Sequence, residues 1–383
     1  MSRGHLRQRS PGSWSIKYEG PRGADGRRVT FHKTVRGNKR AAMAELARLQ
    51  AAVADNQHVA PNRITVAAFL EERLRLWVMT KQVSRRTTQD YHGLLAHIIP
   101  YLGARPVQQL GTRDIESWHS VLLTSGRRDG KEGGLNPRTV QHAHAVLALA
   151  LADGVRHGLL TKNVAAIQKA PKLDAKEMAI LSPAAVDALP AQLAGHELEA
   201  IAIVGLFCGL RRGEILAVRE KNLDLDEELI RVRETLEETK SGIAFKPPKT
   251  KAGIRDVSLP AIVTDVLIAH RKRLLERRLM LGLGKLSGED LIFPNALGQP
   301  RSPNAVSAAW SKLAKELGLE VSFHGLRHTH ASMLIAHGVD VVTISKRLGH
   351  ASPTITLQTY SHLFRPGDGR AAAAINAAMG RSS

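Results

Sequence analysis

The spacing of apolar residues changes twice along this chain, and that change limits the fold more than any single motif does. In Trp14-Ser-Ile16-Lys-Tyr18 and Val29-Thr-Phe31-His-Lys-Thr-Val35 the apolar residues mostly alternate, as in half-buried strands, with the turn-rich Gly20-Pro-Arg-Gly-Ala-Asp-Gly26 between them. Asn38 then suits the cap of a helix to about Val53, with Met43, Leu46 and Leu49 on one side. Residues 1–60 therefore read as a small sheet backed by one helix, and a three-stranded sheet is expected. From Thr65 the period becomes helical: Phe69, Leu70, Leu74 and Trp77 form one face, and Tyr91, Leu94, Leu95, Ile98 and Leu102 another in a helix expected over 87–102. Further helices fit 111–124 and 137–157, around the charged, Gly-rich loop 126–134. Residues 61–171 read as an all-α domain, and 165–178, which lack a clear apolar period, read as a linker.

From Leu181 the pattern is mixed. Ser182-Pro183 is a cap followed by a first-turn proline, 198–210 is a strongly apolar helix, and a second helix begins near Arg212. Strand-like runs follow at 229–234, 242–245 and 253–259, after which helices dominate. Residues 172–383 are expected to form a mixed α+β domain with a C-terminal tail. The whole is multidomain and mainly α, with small β-sheets.

Composition narrows the function. The 383 residues carry 55 Lys+Arg against 35 Asp+Glu, a net charge of +20. A single cysteine, Cys208, excludes an intramolecular disulfide framework and a cysteine-rich zinc module, and points to a reducing compartment. The segment after Met1 has no apolar run to suggest a secretory signal, and no apolar stretch reaches the ~18 residues of a bilayer span. A soluble cytoplasmic protein with a polyanionic partner is expected, although an anionic membrane attracts the same charge. The excess is uneven: +8 in residues 1–60, +7 in 61–171 and +5 in 172–383. Lys17, Arg27, Arg28, Lys33 and Arg36, on or beside the first strands, are candidate DNA contacts for a ribbon laid in a groove.

Four fragments of the last domain carry reactive or anion-binding side chains. In Cys208-Gly-Leu-Arg211-Arg212-Gly-Glu214, a carboxylate three residues after Arg211 can hold its guanidinium fork, although most such pairs are surface salt bridges. Lys246-Pro-Pro-Lys249-Thr-Lys251 taken alone is an ordinary exposed turn. In Phe323-His324-Gly-Leu-Arg327-His328-Thr-His330, a helix sets His324 and Arg327 on one face, one titratable donor beside one permanent cation. A zinc reading of His324 and His328 lacks the His-Glu-x-x-His glutamate and any second ligand cluster, so no metal is assigned. His328 and His330 are read as structural. In Leu348-Gly-His350 followed by Tyr360, the tyrosine taken alone reads as core.

Taken together, the order Arg, Lys, His-x-x-Arg, Leu-Gly-His, Tyr resembles the tyrosine recombinase family, the phage-integrase type of site-specific recombinase. The helical segment, with Thr87-Thr, Tyr91, Ile98-Ile-Pro and Leu102-Gly103, is similar to that family's SAM-like core-binding domain, and residues 1–60 to its arm-binding modules. The resemblance implies that Tyr360 attacks a scissile DNA phosphate to give a 3′-phosphotyrosyl link. It implies Arg211, Arg327 and His350 as phosphate contacts, His324 as the group beside the phosphate that can accept the Tyr360 proton, Lys249 (or Lys251) as the acid for the leaving 5′-oxygen, and Glu214 as the residue orienting Arg211. It further implies double-stranded attachment sites, a tetramer on DNA, a tail that docks on a neighbour, and no metal or nucleotide cofactor. A directionality factor or DNA-bending protein is a further partner it admits. Two alternatives are a type IB topoisomerase, against which Leu348-Gly-His350 and the N-terminal module speak, and a regulator with a vestigial site, against which every catalytic position being filled speaks.

Overall fold

The computed structural model describes residues 4–22, 28–55, 58–173, 178–363, 376, 378 and 379. Two compact units divide at Ala175/Lys176. The first contains two separate apolar cores.

The N-terminal core lies under an antiparallel sheet, β1 (Gly4–Ser10), β2 (Ser13–Arg22) and β3 (Arg28–Arg36), in the order β1-β2-β3 and backed by α1 (Lys39–Ala54). The strand β1 has only Leu6 as an inward apolar residue, which is why alternation does not reveal it. Asn38 caps α1, its side-chain oxygen accepting from the Ala41 amide at 2.9 Å. Ile16 and Tyr18, 0% and 1% exposed, pack with Leu49 of the helix. Cross-strand partners share a face. Ile16 pairs with Lys33, so Lys33 lies on the helix side, where it forms an ion pair with Glu45 at 2.7 Å. This corrects the reading of Lys33 as a groove contact: its partner is in its own module. The opposite face carries the row His5–Lys17–His32, with Arg7 and Arg36 beside it. Arg28 begins β3, and Arg27 lies outside the described residues.

The second core is helical: α2 (Val66–Met79), α3 (Arg85–Leu95), α4 (Ile99–Leu102), α5 (Thr112–Ser125), α6 (Pro137–Arg156) and α7 (Val164–Ile167). The single helix expected over 87–102 is broken into α3 and α4, because Pro100 has no amide to give the Ala96 carbonyl. The chain satisfies the break from elsewhere: Arg128 Nη1 donates to the Ala96 carbonyl at 2.6 Å and Trp118 Nε1 to the His97 carbonyl at 2.9 Å. The break thereby holds part of the charged 126–134 loop. Trp77 Nε1 donates to buried Asp153 at 2.7 Å, and Asp153 also pairs with Arg156.

The second unit has α8 (Pro183–Leu193), α9 (Glu199–Cys208), α10 (Arg212–Leu216), β4 (Leu223–Asp224), β5 (Leu229–Val232), β6 (Thr235–Thr239), β7 (Gly242–Lys246) and β8 (Arg255–Ser258), then α11 (Ala261–Met280), α12 (Pro303–Glu316), α13 (Phe323–Ala336), α14 (Val341–Leu348) and α15 (Pro353–Tyr360). Its sheets are β4-β5-β8 and the hairpin β6-β7, all antiparallel. The helix α9, apolar after Glu199, is its axis, packed against α11 and α13. A smaller cluster of Ala331, Ile335, Ile344, Leu348 and Tyr360 joins α13, α14 and α15. The tail after Leu363, expected to dock on a neighbour, lies outside the described residues except for Asn376, Ala378 and Met379. Among the described residues no helix is long and apolar enough to cross a membrane.

Replacing Trp77 with Phe removes the indole donor and leaves one buried Asp153 oxygen short of a partner. Urea unfolding should show a loss of about 1–3 kcal/mol; an unchanged midpoint would mean that Asp153 is satisfied without it.

Candidate active site

Two helix ends build the site. The helix α9 stops at Gly209, whose φ of 65° is left-handed and where a Cβ would come within 2.5 Å of the buried His330 ring. The turn delivers Arg211, whose amide donates to Glu214 Oε2 at 3.0 Å while its Nη1 donates to Glu214 Oε1 at 2.7 Å. The helix α14 stops at Gly349, φ 66°, where a Cβ would meet Arg255 Nη1 at 2.8 Å and the Ala252 carbonyl at 3.0 Å.

The three carbonyls that end α14 each accept from a different arginine. Arg255 Nε donates to the Arg347 carbonyl and Arg327 Nη2 to the Leu348 carbonyl, both at 2.6 Å, and Arg211 Nη2 donates to the Gly349 carbonyl at 3.3 Å. Arg327 Nη1 also donates to the Gly209 carbonyl at 2.6 Å, tying the two helix ends together. A helix C-terminus favours cations, and these orphan carbonyls need donors. Glu214, with its side chain 2% exposed, lies between Arg211 and Arg255, whose Nη2 donates to Oε2 at 3.0 Å. Burial raises the Glu214 pKa, but the charge and hydrogen bond of Arg255 and the charge of Arg211 outweigh it, so the carboxyl stays below its ordinary range. Arg327 is 3% exposed; burial first and Arg211 next lower it to about 9, which still leaves it charged at neutral pH.

The histidines surround these cations. His324 is open to solvent on one side, yet desolvation by the surrounding protein, followed by His328, Arg327, Arg211 and Arg212, pushes it down to about 4. His350 Nδ1 is 2.8 Å from Thr356 Oγ1, and burial, then Arg327 and Arg211, bring it to about 4. His330 is buried, accepts from Arg347 Nε at 3.1 Å, and falls to about 3, mainly through burial. Tyr360 is 1% exposed; burial pushes its phenol up to about 12, against the pull of Arg327. Its Oη lies 2.6 Å from His328 Nδ1. The imidazole bonded to the tyrosine is therefore His328, which the sequence reading held as structural, because α15 meets α13 one turn beyond His324.

Arg211, Glu214, His324, Arg327, His350 and Tyr360 thus come together. Lys249 and Lys251 do not: both are exposed on the link from β7 to β8, and their side chains make no hydrogen bond or ion pair among the described residues. That link nevertheless passes the site, because the Ala252 carbonyl lies against Gly349. The reading from sequence missed Arg255, Arg347 and Thr356. Arg347 Nη2 reaches the Phe207 and Ser258 carbonyls, joining α9 to the end of β8. No group of three or more possible metal ligands occurs among the described residues.

Chemically, the cluster is an anion site. It has two arginine forks, neutral imidazoles and one phenol, with the only buried carboxylate already neutralised. Removing Arg255 (Arg255→Leu) should cost about 3–5 kcal/mol by leaving Glu214 poorly paired. The pH dependence has a definite sign. The Glu214 pKa is lowered on folding, so its contribution is present above the ordinary carboxylate range and is lost as pH falls through the folded value. In Arg255→Leu that acid loss should begin at a higher pH; denaturant midpoints measured between pH 3 and 7 would show it, and identical profiles would contradict it.

Known proteins resemble this chain in sequence and in fold. Residues 183–365 match the phage integrase family. A tyrosine recombinase XerC-like protein of Caldanaerobacter subterraneus subsp. tengcongensis is 27% identical over 249 residues, spanning 60% of this chain and 63% of that protein. An integrase of Streptomyces ambofaciens is 25% identical over 335 residues, spanning 82% and 80%. Among solved structures, the Tn1549 transposon integrase in complex with transposon right end DNA superposes with a TM-score of 0.68 at 20% identity, over 82% of this chain and 99% of that one. A lambda integrase tetramer bound to a Holliday junction gives 0.53 at 17% identity, over 91% and 96%. Residues 183–365 thus carry a phage integrase family domain, and the chain is similar to tyrosine site-specific recombinases.

Proposed function

We propose that Tyr360 attacks a scissile phosphate in double-stranded DNA, forming a 3′-phosphotyrosyl link and releasing a 5′-hydroxyl, and that rejoining to another duplex integrates or excises a phage or other mobile element. The observation that carries this reading is the arginine pair held at the end of α14, with the Tyr360 phenol in the electrostatic reach of Arg327. A phosphodiester gains charge toward its transition state, and fixed guanidinium forks meet that charge without reorganising. Arg211 and Arg327 take the non-bridging oxygens, Glu214 fixes Arg211, and His324 and His350 donate to the phosphate. An entering anion offsets the cationic field that keeps these imidazoles neutral, so their proton affinity rises as the substrate binds. Lys249, on its exposed link, protonates the leaving 5′-oxygen. Because the arginines take the charge and the phosphotyrosine retains the bond free energy, the reaction needs neither metal nor nucleotide.

The wild-type chain on a nicked attachment-site duplex should trap a covalent adduct that survives SDS and forms in EDTA. Tyr360→Phe should give none; an undiminished adduct in that variant would refute the assignment.

The outer face of the N-terminal sheet is proposed to bind distal arm sites, with Lys17 and Arg36 as phosphate contacts alongside His5 and Arg7, while residues 61–171 grip the core site. Two cut duplexes call for four protomers, the assembly seen for lambda integrase on a Holliday junction. The tail docks on a neighbouring protomer, and a directionality factor or DNA-bending protein sets the outcome. The protein acts in the cytoplasm, at the nucleoid. Deleting residues 1–60 should abolish distal binding and spare core-site cleavage. Lys17→Ala should lower the salt slope of distal binding by about 1, whereas Lys33→Ala should leave it nearly unchanged; equal effects would reject the assignment of faces.

A further inference from the structure

With Tyr360 as nucleophile, its proton needs a destination. The neighbour of Tyr360 Oη is His328 Nδ1 at 2.6 Å, and the two rings lie 5.7 Å apart, inclined by 60°. Among the described residues His328 Nε2 has no hydrogen-bond partner, so a proton received at Nδ1 can leave from the other side of the ring. The groups that act on this imidazole are Arg327 and His324 of its own helix, the latter edge-on at 4.7 Å, together with Tyr360 and His350 from the α14–α15 side. Burial first, then Arg327, hold it below the ordinary imidazole value, so it is neutral and able to accept. The phenol it faces would keep its proton near neutral pH without help.

We propose that His328 is the catalytic base for Tyr360. As Oη bonds to phosphorus its O–H bond breaks and the proton passes to Nδ1, while the P–O5′ bond breaks and the leaving O5′ takes a proton from Lys249. In religation the 5′-hydroxyl attacks phosphorus and gives its proton back to the Lys249 amine, while the P–Oη bond breaks and His328 returns its proton to Oη. This proposal rests on the assignment of Tyr360 as nucleophile, and it moves the proton transfer from His324 to the residue one turn further on.

The test uses the full chain and a duplex spanning the element's attachment junction, with either an ordinary phosphate or a 5′-bridging phosphorothiolate. The thiolate leaves without a proton, so only defects on the nucleophile side persist. His328→Asn keeps a hydrogen-bonding atom near the Nδ1 position but cannot take a proton, and His328→Ala removes both functions. Both should lose on the order of 10²–10⁴-fold in adduct formation on both substrates, while binding the duplex as wild type does. Added imidazole should restore part of the alanine variant's rate. The wild-type log rate should fall by one per pH unit on the acid side, and that limb should vanish in the asparagine variant. Lys249→Ala should be rescued by the phosphorothiolate, and the His328 variants should not. A Tyr360-dependent adduct formed by His328→Asn at the wild-type rate would overturn the proposal, and so would a faster one, which would make the contact a restraint. If the alanine variant does not fold, the asparagine variant and the pH profile decide. No adduct from wild type, or one surviving Tyr360→Phe, would instead refute the nucleophile assignment.

Discussion

The carbonyls of Arg347, Leu348 and Gly349, where α14 ends, are the fixed point of the catalytic unit. Three guanidiniums in close proximity repel one another, and burying them costs more still. What makes the cluster tolerable is that each fork meets a carbonyl at the negative end of a helix, with Glu214 wedged between two of them. The helix end fixes the arginines, and the arginines satisfy the helix end. The left-handed glycines at 209 and 349 are the local condition for both, since side chains there would collide with His330 and with Arg255.

The same cations set the state of the surrounding titratable groups. Burial and positive charge act together on His324, His350 and His328, and all three are held neutral. On Tyr360 burial and charge oppose each other, and burial prevails. A neutral imidazole beside a protonated phenol is therefore the resting arrangement of this site.

Much of this was legible in the sequence where a side chain's role is local. Alternation gave β2 and β3, helical spacing gave α2 and α6, and the caps at Asn38, Thr65 and Ser182 have the partners expected of them. The motif order singled out six residues that the fold brings together. What failed was long-range or competitive. Pro100 was visible, but the apolar period running through it outweighed its missing amide, so one helix was drawn where there are two. Lys33 looks like Lys17 in sequence; only the register with Ile16 sends it to Glu45. Arg255 lies 41 residues from Glu214, and nothing near it announces that contact. His328 was separated from Tyr360 by a choice between two adjacent turns of one helix, which composition cannot make.

The occupied helix end also bears on how the pocket meets its ligand. Arg211 and Arg327 each keep N–H groups beyond those engaged by carbonyls and Glu214, so a phosphate is met by forks already held in place. Such a pocket favours an anion shaped to reach both forks at once. Selection by shape at this one spot leaves the long-range attraction of polyanions to the more strongly charged N-terminal third of the chain.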